Sequence, residues 1–533
     1  MNKNNYIGLL LITTIIFVFS FFMKEKDINH VPIIYDEVIS NDTKNSNIRY
    51  YVLENEYIKI KISSLGGKIC YSEIKNYKNW QNNPTIIFEE NYKNSFYIKN
   101  DTYNFNTKNL VFNIKECYFQ DNNYILKLIS DSDIEYIYTI ENKNSYHVDL
   151  DINLENINID LEDVNINLQY NLIRQEKDIY NEKLYTKLYY KNSSNIVSSK
   201  DESNLDISIN DQLHWISFKQ NFFTSIIEIK NQFFSKNKFK IIDCNNDNLL
   251  KNILVSSDIK LNSSKNISLK FYFCPCQLSI LQNIDKNLDK IIELGWGPLK
   301  SINLLLLIPF FNLLEKTNLN YGIIILIMTL AIKIGLFPLT YGSYMSNVKM
   351  KIIKPEIDLL KRKFGDNPYK LQQKYMNLYR IAGINPLGGC LAIVIQIPIL
   401  LSFFYFFPSS FELRQKSFLW VSDLSSYDNF INFNYTIPFI GDHISLMCLL
   451  MTLSTILYTY SINQNNKTYD NMQYIGYLMP FLFFGFLNHY SAGLNYYYLC
   501  SNIITFLQQK IISKIIDEEY IKSRIKKYDI LKN

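Results

Sequence analysis

The sequence lacks the short motifs that mark the common classes of nucleotide-binding, metal-binding and hydrolytic proteins. It contains no GxxxxGK[ST] segment for a phosphate-binding loop, and the HExxH, GxSxG and EF-hand patterns are absent too. We therefore predict a protein that is not an enzyme and that needs no cofactor and no resident metal. Histidines are few and scattered without the spacing of metal ligands; they are His30, His147, His214, His443 and His489.

Cysteine is scarce as well, with 8 among 533 residues. Cys390, Cys448 and Cys500 lie in apolar runs, where a cysteine usually serves as a small hydrophobic side chain. The CPC segment at 274–276 is too tight for a typical zinc pattern and is not the redox CxxC. The irregular spacing in the polar half predicts no metal site and leaves a disulfide open; the residues there are Cys70, Cys117, Cys244, Cys274 and Cys276.

A large charge of one sign is also missing. The net charge is only +5, which is too small to predict a DNA partner. The mean hydropathy of −0.09 averages two unlike halves, a polar one up to about residue 300 and an apolar one after it. The two halves therefore call for separate interpretations.

The chain starts with an apolar run, IGLLLITTIIFVFSFFM, that ends at Met23. It is nearly long enough to span a bilayer, and the residues after it offer no Ala-x-Ala cleavage pattern. We predict an uncleaved transmembrane signal anchor at 1–23, followed by a polar linker at 24–48.

Residues 49–295 contain no spanning segment. Stretches such as YIKIKISSL (57–65), YIYTIEN (136–142) and ISLKFYF (267–273) alternate between apolar and polar residues, which is typical of half-buried strands. At this length the pattern predicts one large all-β sandwich domain.

The remainder, 296–533, has the composition of a helical membrane unit. Its first apolar stretch, 296–316, is short and contains Pro309, so we interpret it as a helix lying in the membrane interface. With the anchor, six transmembrane spans are predicted. The five in this unit are placed at about 321–342, 387–407, 437–461, 473–490 and 493–511.

The connections between the spans predict their orientation. The segment 343–386 carries nine Lys and Arg residues against three acidic ones, whereas 408–436 carries two against three. By the positive-inside rule the first connection is cytoplasmic and the second is not. Both termini are then cytoplasmic, and residues 24–320 lie outside.

The basic connection at 343–386 is itself patterned as two helices. Apolar residues recur at helical spacing on both sides of a GDNP turn signal, which predicts an antiparallel helical hairpin with a basic outer face. That face is either a solvated topology signal or a docking surface for an acidic partner. The apolar positions are Ile353, Ile357, Leu360, Phe364, Leu371, Tyr375, Leu378 and Tyr379.

One residue is out of place in the apolar half. Lys333 lies in YGIIILIMTLAIKIGLFPLTYG, about 12 Å from the nearer end of the predicted span, which is too far for easy snorkelling. A cation near the bilayer centre costs roughly 2.5–3.5 kcal/mol on insertion-based scales, and such residues usually mark function. We therefore take Lys333 as the first candidate site residue.

Several segments together resemble one family. NPLGGCLAIVIQIPILLSFF (385–404), FELRQKSFLWVSDLS (411–425) and GLNYYYLCSNIITFLQQ (493–509) look like the bacterial YidC family of membrane protein insertases, as does PLT after the intramembrane cation. In the outer half, SLGGKI (64–69) and LHWISFKQNFFTSII (213–227) resemble the periplasmic domain of its Gram-negative branch. The resemblance covers essentially the whole chain and implies a protein of the bacterial inner membrane.

The resemblance implies a polar groove within the bilayer that is open to the cytoplasm and to lipid. Its cation corresponds to Lys333, where the family usually has arginine, so a bidentate grip on a substrate is lost while a positive charge is kept. Candidate groove residues that would contact a substrate are Lys333, Thr329, Gln396, Tyr498 and Asn502.

The implied function is that of an insertase and chaperone for integral membrane proteins, acting alone or with the Sec translocon. Nascent membrane proteins and the lipid bilayer are then the partners, with the ribosome and the signal-recognition-particle receptor meeting the hairpin and the C-terminal tail. Two alternatives stay open from the sequence. One is a secondary transporter with Lys333 as the counter-ion of its substrate, and the other is a β domain that captures a ligand while the helices only anchor it.

Overall fold

The chain forms two compact units in the computed structural model, divided between Ile292 and Glu293. The anchor predicted at 1–23 and most of the linker lie outside the described residues. The structure describes residues 36–37, 48–90, 95–103, 105–143, 145–156, 162–201, 204–244, 246–263, 265–365, 367–384, 388–463, 470–515, 517, 519–521 and 523.

The first unit is built almost entirely of strands, as the alternating pattern predicts. Within the described residues it contains twenty strands, and many of them bury alternate apolar side chains, as at Ile58, Ile60 and Ile62. Two short helices accompany them, α1 (Ile179–Tyr185) and α2 (Leu278–Ile284). The strands are β1 (Asp36–Glu37), β2 (Tyr50–Glu54), β3 (Ile58–Ser63), β4 (Ile69–Lys78), β5 (Pro84–Glu89), β6 (Ser95–Asn100), β7 (Phe105–Asn106), β8 (Phe112–Gln120), β9 (Asn123–Ser130), β10 (Glu135–Glu141), β11 (His147–Asn153), β12 (Asp163–Ile173), β13 (Lys187–Asn192), β14 (Val197–Lys200), β15 (Leu205–Ile209), β16 (Leu213–Lys219), β17 (Phe223–Lys230), β18 (Phe234–Asp243), β19 (Leu249–Lys260) and β20 (Asn266–Pro275).

These strands form two antiparallel sheets. The smaller has the order β1-β2-β3-β4-β5, and the larger runs β7-β6-β12-β19-β18-β16-β17-β20-β11-β10-β9-β8, with β13, β14 and β15 paired beside it. The three stretches singled out in the sequence correspond to β3, β10 and β20. The predicted all-β sandwich is therefore confirmed.

Aromatic rings fill the space between the two sheets. The ring of Tyr170 stacks on Phe218 at 4.1 Å and meets Phe88 of the smaller sheet at 4.9 Å. The SLGGKI segment closes the sandwich, because the hydroxyl of Tyr138 donates to the carbonyl of Gly67 at 2.6 Å. A Cβ atom at Gly67 would lie 2.9 Å from the Phe112 ring, so the close approach requires glycine there.

The second unit is helical. Its helices are α3 (Pro298–Ile302), α4 (Ile308–Glu315), α5 (Tyr321–Ile352), α6 (Lys354–Phe364), α7 (Pro368–Ala382), α8 (Gly388–Ser409), α9 (Leu446–Asn463), α10 (Asp470–Leu487) and α11 (Ala492–Ile515). Within the described residues, two helical stretches are long and apolar enough to cross a membrane, Pro298–Glu315 and Tyr321–Met350. The six-span topology stays a prediction.

The helix predicted to lie in the interface continues through its proline. A π-helical turn at Asn303–Leu307 joins α3 to α4 and accommodates Pro309 near the start of α4. The buried amide of Asn303 donates to the carbonyls of Leu294 at 2.8 Å and of Ser402 in α8 at 3.1 Å. These bonds fix the helix to α8 by one side and leave several leucines of the other side exposed.

Helix α5 is the centre of the bundle. It packs against α8 and α11, while α11 also contacts α9, and α9 contacts α10. The helix continues to Ile352, ten residues beyond the predicted end of the span at 342. Its N-terminal cap is Asn320, whose side chain accepts from the amide of Gly322 at 2.9 Å.

The helical hairpin predicted at 343–386 corresponds to α6 and α7. All eight apolar positions named in the sequence pack into one cluster, which confirms the two helical faces. Helix α7 ends at Gly383, which has a φ of 62° and allows the amide of Ile384 to donate to the carbonyl of Tyr379 at 2.8 Å.

The segment between α8 and α9 differs from the sequence interpretation. A span was predicted from residue 437, but α9 begins at Leu446. The preceding residues form a two-stranded antiparallel ribbon of β21 (Ile431–Ile437) and β22 (Gly441–Ile444). Apolar content alone suggested a helix there, whereas Gly441, with a φ of 94°, belongs to a turn.

Candidate functional site

Lys333 lies inside the helical bundle rather than at its surface. It belongs to α5, the helix that packs against both α8 and α11, and only 5% of the residue is exposed. A buried ammonium group costs free energy unless polar atoms replace its hydration shell. The question for the site is therefore what surrounds the Lys333 Nζ atom.

Side chains from the two neighbouring helices surround that atom. Lys333 Nζ donates to Thr505 Oγ1 of α11 at 2.9 Å and to Gln396 Oε1 of α8 at 3.3 Å. Gln396 is held in turn, because its amide donates to the hydroxyl of Tyr344 at 3.2 Å. The Gln508 amide donates to the backbone carbonyl of Lys333 at 3.2 Å. We call these five side chains the polar layer.

The polar layer contains no negative charge. Among the residues that the structure describes, no carboxylate forms an ion pair with Lys333. Hydroxyl and amide oxygens solvate an ammonium group through their dipoles, but they do not neutralise it. The site can therefore attract an anionic group that comes close, without first having to break an internal ion pair.

Apolar side chains border the polar layer on both sides along the bundle. Toward the N-terminal end of α5 lies a large aromatic cluster, in which the rings of Phe403 and Tyr497 approach to 4.1 Å and those of Phe311 and Phe406 to 5.5 Å. Toward the C-terminal end lies a smaller cluster of Val348, Ile512 and Tyr344, whose hydroxyl belongs to the polar layer. The aromatic cluster is the larger and more continuous of the two.

The five predicted site residues do not all meet. Lys333 and Gln396 come together, as described. The Thr329 hydroxyl is buried and donates to the carbonyl of Ile325 in its own helix at 2.7 Å. Asn502 donates to Ser454 Oγ at 2.9 Å and to Thr455 Oγ1 at 2.8 Å, so it ties α11 to α9.

Tyr498 lies one turn before Asn502 and is half-buried. Its ring packs beside Tyr497 at 5.7 Å, at the edge of the aromatic cluster. It has no hydrogen bond to the polar layer among those described, so it borders the site from the aromatic side.

Sequence reasoning missed three members of the polar layer, Thr505, Gln508 and Tyr344. A signal for Thr505 was present, because positions 498, 502, 505 and 509 recur at helical spacing and carry Tyr, Asn, Thr and Gln. The Gln509 amide donates to the hydroxyl of Tyr458 in α9 at 2.8 Å, so this polar stripe extends along α11. Tyr344 gave no such signal, since it lies beyond the predicted end of its span.

A second basic feature is the outer surface of the hairpin. Lys361, Arg362 and Lys363 are exposed in the last turn of α6. Three lysines surround the ring of Phe364 at 5.5 to 5.9 Å from its centre; they are Lys363, Lys370 and Lys374. The hairpin therefore presents positive charge over an aromatic ring.

Side chains that commonly bind metal ions are dispersed in the part of the chain that the structure describes. Among the described residues, no group of three or more His, Cys, Asp or Glu side chains converges. The seven cysteines whose side chains are described are free thiols: Cys70, Cys117, Cys244, Cys274, Cys276, Cys448 and Cys500.

Two family profiles match the chain. The profile of the YidC periplasmic domain covers residues 51–305, and that of the 60Kd inner membrane protein covers residues 313–519. Together they span both compact units.

Relatives match along nearly the whole length. A protein of Amoebophilus asiaticus named membrane protein insertase YidC is 33% identical, over 99% of this chain and 95% of its own length. A protein of the same name from Parabacteroides distasonis is 31% identical, over 98% of this chain and 94% of its own.

Solved structures match more distantly. A crystal structure of an active YidC insertase with the first transmembrane domain resolved covers 95% of this chain and 99% of that one, with 16% identity and a TM-score of 0.37. The YidC of Thermotoga maritima covers 89% of this chain and 98% of that one, with 14% identity and a TM-score of 0.30. The sequence relatives, rather than these structures, establish the family.

Proposed function

The chain belongs to the YidC family of membrane protein insertases, and from that premise we propose that it inserts integral membrane proteins into the bacterial inner membrane and helps them fold. It acts alone or with the Sec translocon, and without an enzymatic reaction. The observation that carries the proposal is Lys333, a buried cation that donates to neutral oxygen atoms of Thr505 and Gln396 and, among the described residues, to no carboxylate.

The difficult step in insertion is to move a polar flank across hydrocarbon. A single charge at the bilayer centre costs roughly 2.5–3.5 kcal/mol on insertion-based scales. A polar layer partway into the membrane shortens this crossing and offers temporary hydrogen-bond partners. Lys333 attracts an acidic flank to that depth and then releases it, because its own hydrogen bonds to Thr505 and Gln396 can form again.

The clusters on either side of the polar layer determine from which side a client flank enters the site. The aromatic cluster near the N-terminal end of α5 closes the site toward the outside in the predicted orientation. A client segment therefore enters from the cytoplasm or from lipid. A membrane potential that is positive outside then favours the outward movement of a negative charge by about 2.3 kcal/mol per 100 mV.

The candidate site residues take different roles in this proposal. Lys333 and Gln396 contact the client flank, and Tyr498 borders its path with a half-buried ring. Asn502 holds α11 against α9, and Thr329 bonds within its own helix, so both support the walls of the groove.

We propose six spans, with both termini cytoplasmic and residues 24–320 periplasmic. The exposed cations of the α6–α7 hairpin then face the cytoplasm, where they fit an acidic surface such as ribosomal RNA or the signal-recognition-particle receptor. Burial of a client's apolar segment in lipid supplies the main driving force, and no nucleotide is consumed.

The test uses the purified chain as the only protein in liposomes with an imposed potential. A single-span client with an acidic flank is added, and protease protection of the flank is measured against empty liposomes. Protection above that background supports the insertase. If the flank stays accessible while a charged solute accumulates in the vesicles, the chain is a transporter with Lys333 as a counter-ion, and the proposal is wrong.

A further inference from the structure

The ribbon between α8 and α9 has an amphipathic sequence. In β21, INFNYTI, apolar residues occupy positions 431, 433, 435 and 437, and polar residues occupy the positions between them. Because side chains alternate across a strand, one face of the ribbon is apolar and the other is polar. The rings of Phe433 and Tyr435 approach to 5.8 Å, as expected for neighbours on one face.

The pairing with β22 is irregular between Asn432 and Ile437, but its two regular pairs continue both faces. Ile431 lies opposite Ile444 on the apolar side, and Asn432 lies opposite His443 on the polar side. His443 is buried and stacks on Tyr427 at 3.8 Å, and its Nε2 atom lies 3.1 Å from the carbonyl oxygen of Asn488. The ribbon thus contacts the end of α10 through His443, whereas Asn432 and Tyr435 are exposed, Tyr435 at 66%.

The ribbon is fixed to α10 rather than loosely tethered. The Asn488 amide donates to the carbonyl of His443 at 2.7 Å and to that of Ile440 at 3.0 Å. Phe439, which has a φ of 75°, lays its ring against Gly485, where a Cβ atom would come 2.1 Å from the ring. The exposed apolar face therefore has a defined position relative to the helices.

That face continues an apolar surface of α10. Large side chains stand exposed along this helix and reach the ribbon through the exposed ring of Phe439; they are Leu478, Phe481, Leu482, Phe483 and Phe486. No lysine or arginine occurs between Lys416 and Lys467. The surface thus offers aromatic and aliphatic contact and has no cation for an acidic partner.

We propose that the ribbon anchors the outer ends of α9 and α10 in the membrane interface, with the uncharged part of the outer-leaflet lipids as the partner of its apolar face. This rests on the proposed placement of the bundle in the membrane. A two-stranded ribbon leaves backbone groups on its outer edges without ladder partners, so it cannot enter the hydrocarbon core. At the headgroup level those groups are hydrated while aromatic rings enter the acyl boundary, where Tyr and Trp concentrate.

The experiment places tryptophan reporters in the full chain, reconstituted in nanodiscs with lipids brominated near the headgroup or near the chain end. Tyr435→Trp reports on the apolar face, and Thr436→Trp, the adjacent exposed residue, is its matched control on the other face. Leu482→Trp reports on α10. The parent protein has four tryptophans, so its emission is subtracted from that of each variant to give the added emission of the reporter.

We expect bromine near the headgroup to reduce the added emission of Tyr435→Trp roughly twofold, and bromine at the chain end to reduce it less. The added emission of Thr436→Trp should change little. Quenching of Leu482→Trp without quenching of Tyr435→Trp would overturn the ribbon proposal and leave the membrane placement standing. A blue-shifted but unquenched Tyr435→Trp would mean that protein, not lipid, covers the face. If no reporter is quenched, the proposed placement fails and the anchor fails with it.

Discussion

Lys191 of the β domain and Lys333 of the helical unit are both largely shielded from solvent, with 12% of the Lys191 side chain exposed, but their charges are compensated differently. In the β domain, Lys191 contacts Asp285 at 2.5 Å, and the indole of Trp215 donates to the same carboxylate at 3.2 Å. In the helical unit, Lys333 has hydroxyl and amide oxygens around it and no carboxylate among the described residues. The first cation is neutralised inside the protein, and the second is only solvated.

In the proposed mechanism, the Lys191 charge is structural and the Lys333 charge is functional. A pair such as Lys191 and Asp285 recovers its cost of burial through its own attraction and hydrogen bonds. Lys333 has no carboxylate partner among the described residues, and in the proposed mechanism its cost of burial is recovered when an anionic group of the client arrives. We therefore expect the loss of the Lys191–Asp285 pair to lower stability and the loss of the Lys333 charge to lower activity.

The largest effect is expected at Lys333. Lys333→Met keeps the length of the side chain and removes its charge, so insertion of a client with an acidic flank should slow on the order of a hundredfold, as a charge cost of about 2.5–3.5 kcal/mol implies. Protease protection over time measures the rate. Lys333→Arg is the matched control and should stay close to the parent. Equal rates for the parent and Lys333→Met would contradict the electrostatic role.

The next effect is expected at Asp285. Asp285→Asn leaves the Lys191 ammonium without its carboxylate and should lower the free energy of unfolding of the β domain by about 1.5–3 kcal/mol. Hydrogen exchange of the strand Leu213–Lys219 in the full chain measures the loss. Insertion rates should not change. A client-specific defect with an unchanged exchange rate would show that the pair has a function beyond stability.

The stability lost in Asp285→Asn should depend on pH. Burial alone would raise the pKa of Asp285, but bonds from the Asn287 amide and the Lys191 ammonium outweigh it and hold the pKa below its ordinary value. The carboxylate therefore stabilises the fold fully at pH values above its ordinary pKa of about 4. This contribution is lost as the pH falls through the lower pKa of the folded state. The stability difference between the parent and Asp285→Asn should shrink at acidic pH. A difference that is the same at neutral and acidic pH would contradict this reasoning.

A smaller effect is expected at Asn502. Asn502→Leu removes two hydrogen bonds between α11 and α9, which at about 0.6 kcal/mol each should cost roughly 1 kcal/mol of stability. Thermal unfolding in nanodiscs measures this loss. Clients with acidic and neutral flanks should be affected equally. A selective loss for the acidic flank would place Asn502 among the residues that contact the client.

The smallest effect is expected at Thr329. Its hydroxyl is already bonded to the carbonyl of Ile325, so Thr329→Val should change insertion by less than about twofold. Rates measured with the same client as for Lys333→Met allow a direct comparison. A tenfold loss would mean that the hydroxyl turns toward the groove during insertion.

Much of the fold follows from local patterns in the sequence. Alternation in YIKIKISSL and YIYTIEN predicts strands that the structure contains, and the spacing of Ile353, Ile357 and Leu360 predicts one face of the hairpin. Such patterns are set by burial on a single face, and therefore they can be recognised without tertiary information.

The remaining features depend on contacts between distant segments. Thr505 belongs to the polar layer only because α5 and α11 pack side by side. In the sequence it lies 172 positions after Lys333, with which it forms a hydrogen bond. The ribbon at 431–444 was not predicted for a different reason. Its apolar residues and those of α9 form one nearly continuous apolar stretch in the sequence. Asn488, whose amide fixes the ribbon, lies far along the chain.

The most direct test of the central claim combines two changes, in the protein and in the client. Insertion rates into liposomes with an imposed potential are measured for the parent and Lys333→Met, each with a client whose flank is acidic or carries Asn and Gln at the same positions. The uncompensated charge of Lys333 predicts a large loss with the acidic flank and little with the neutral one. An equal loss for both flanks would show that Lys333 supports the structure of the bundle rather than attracting the client.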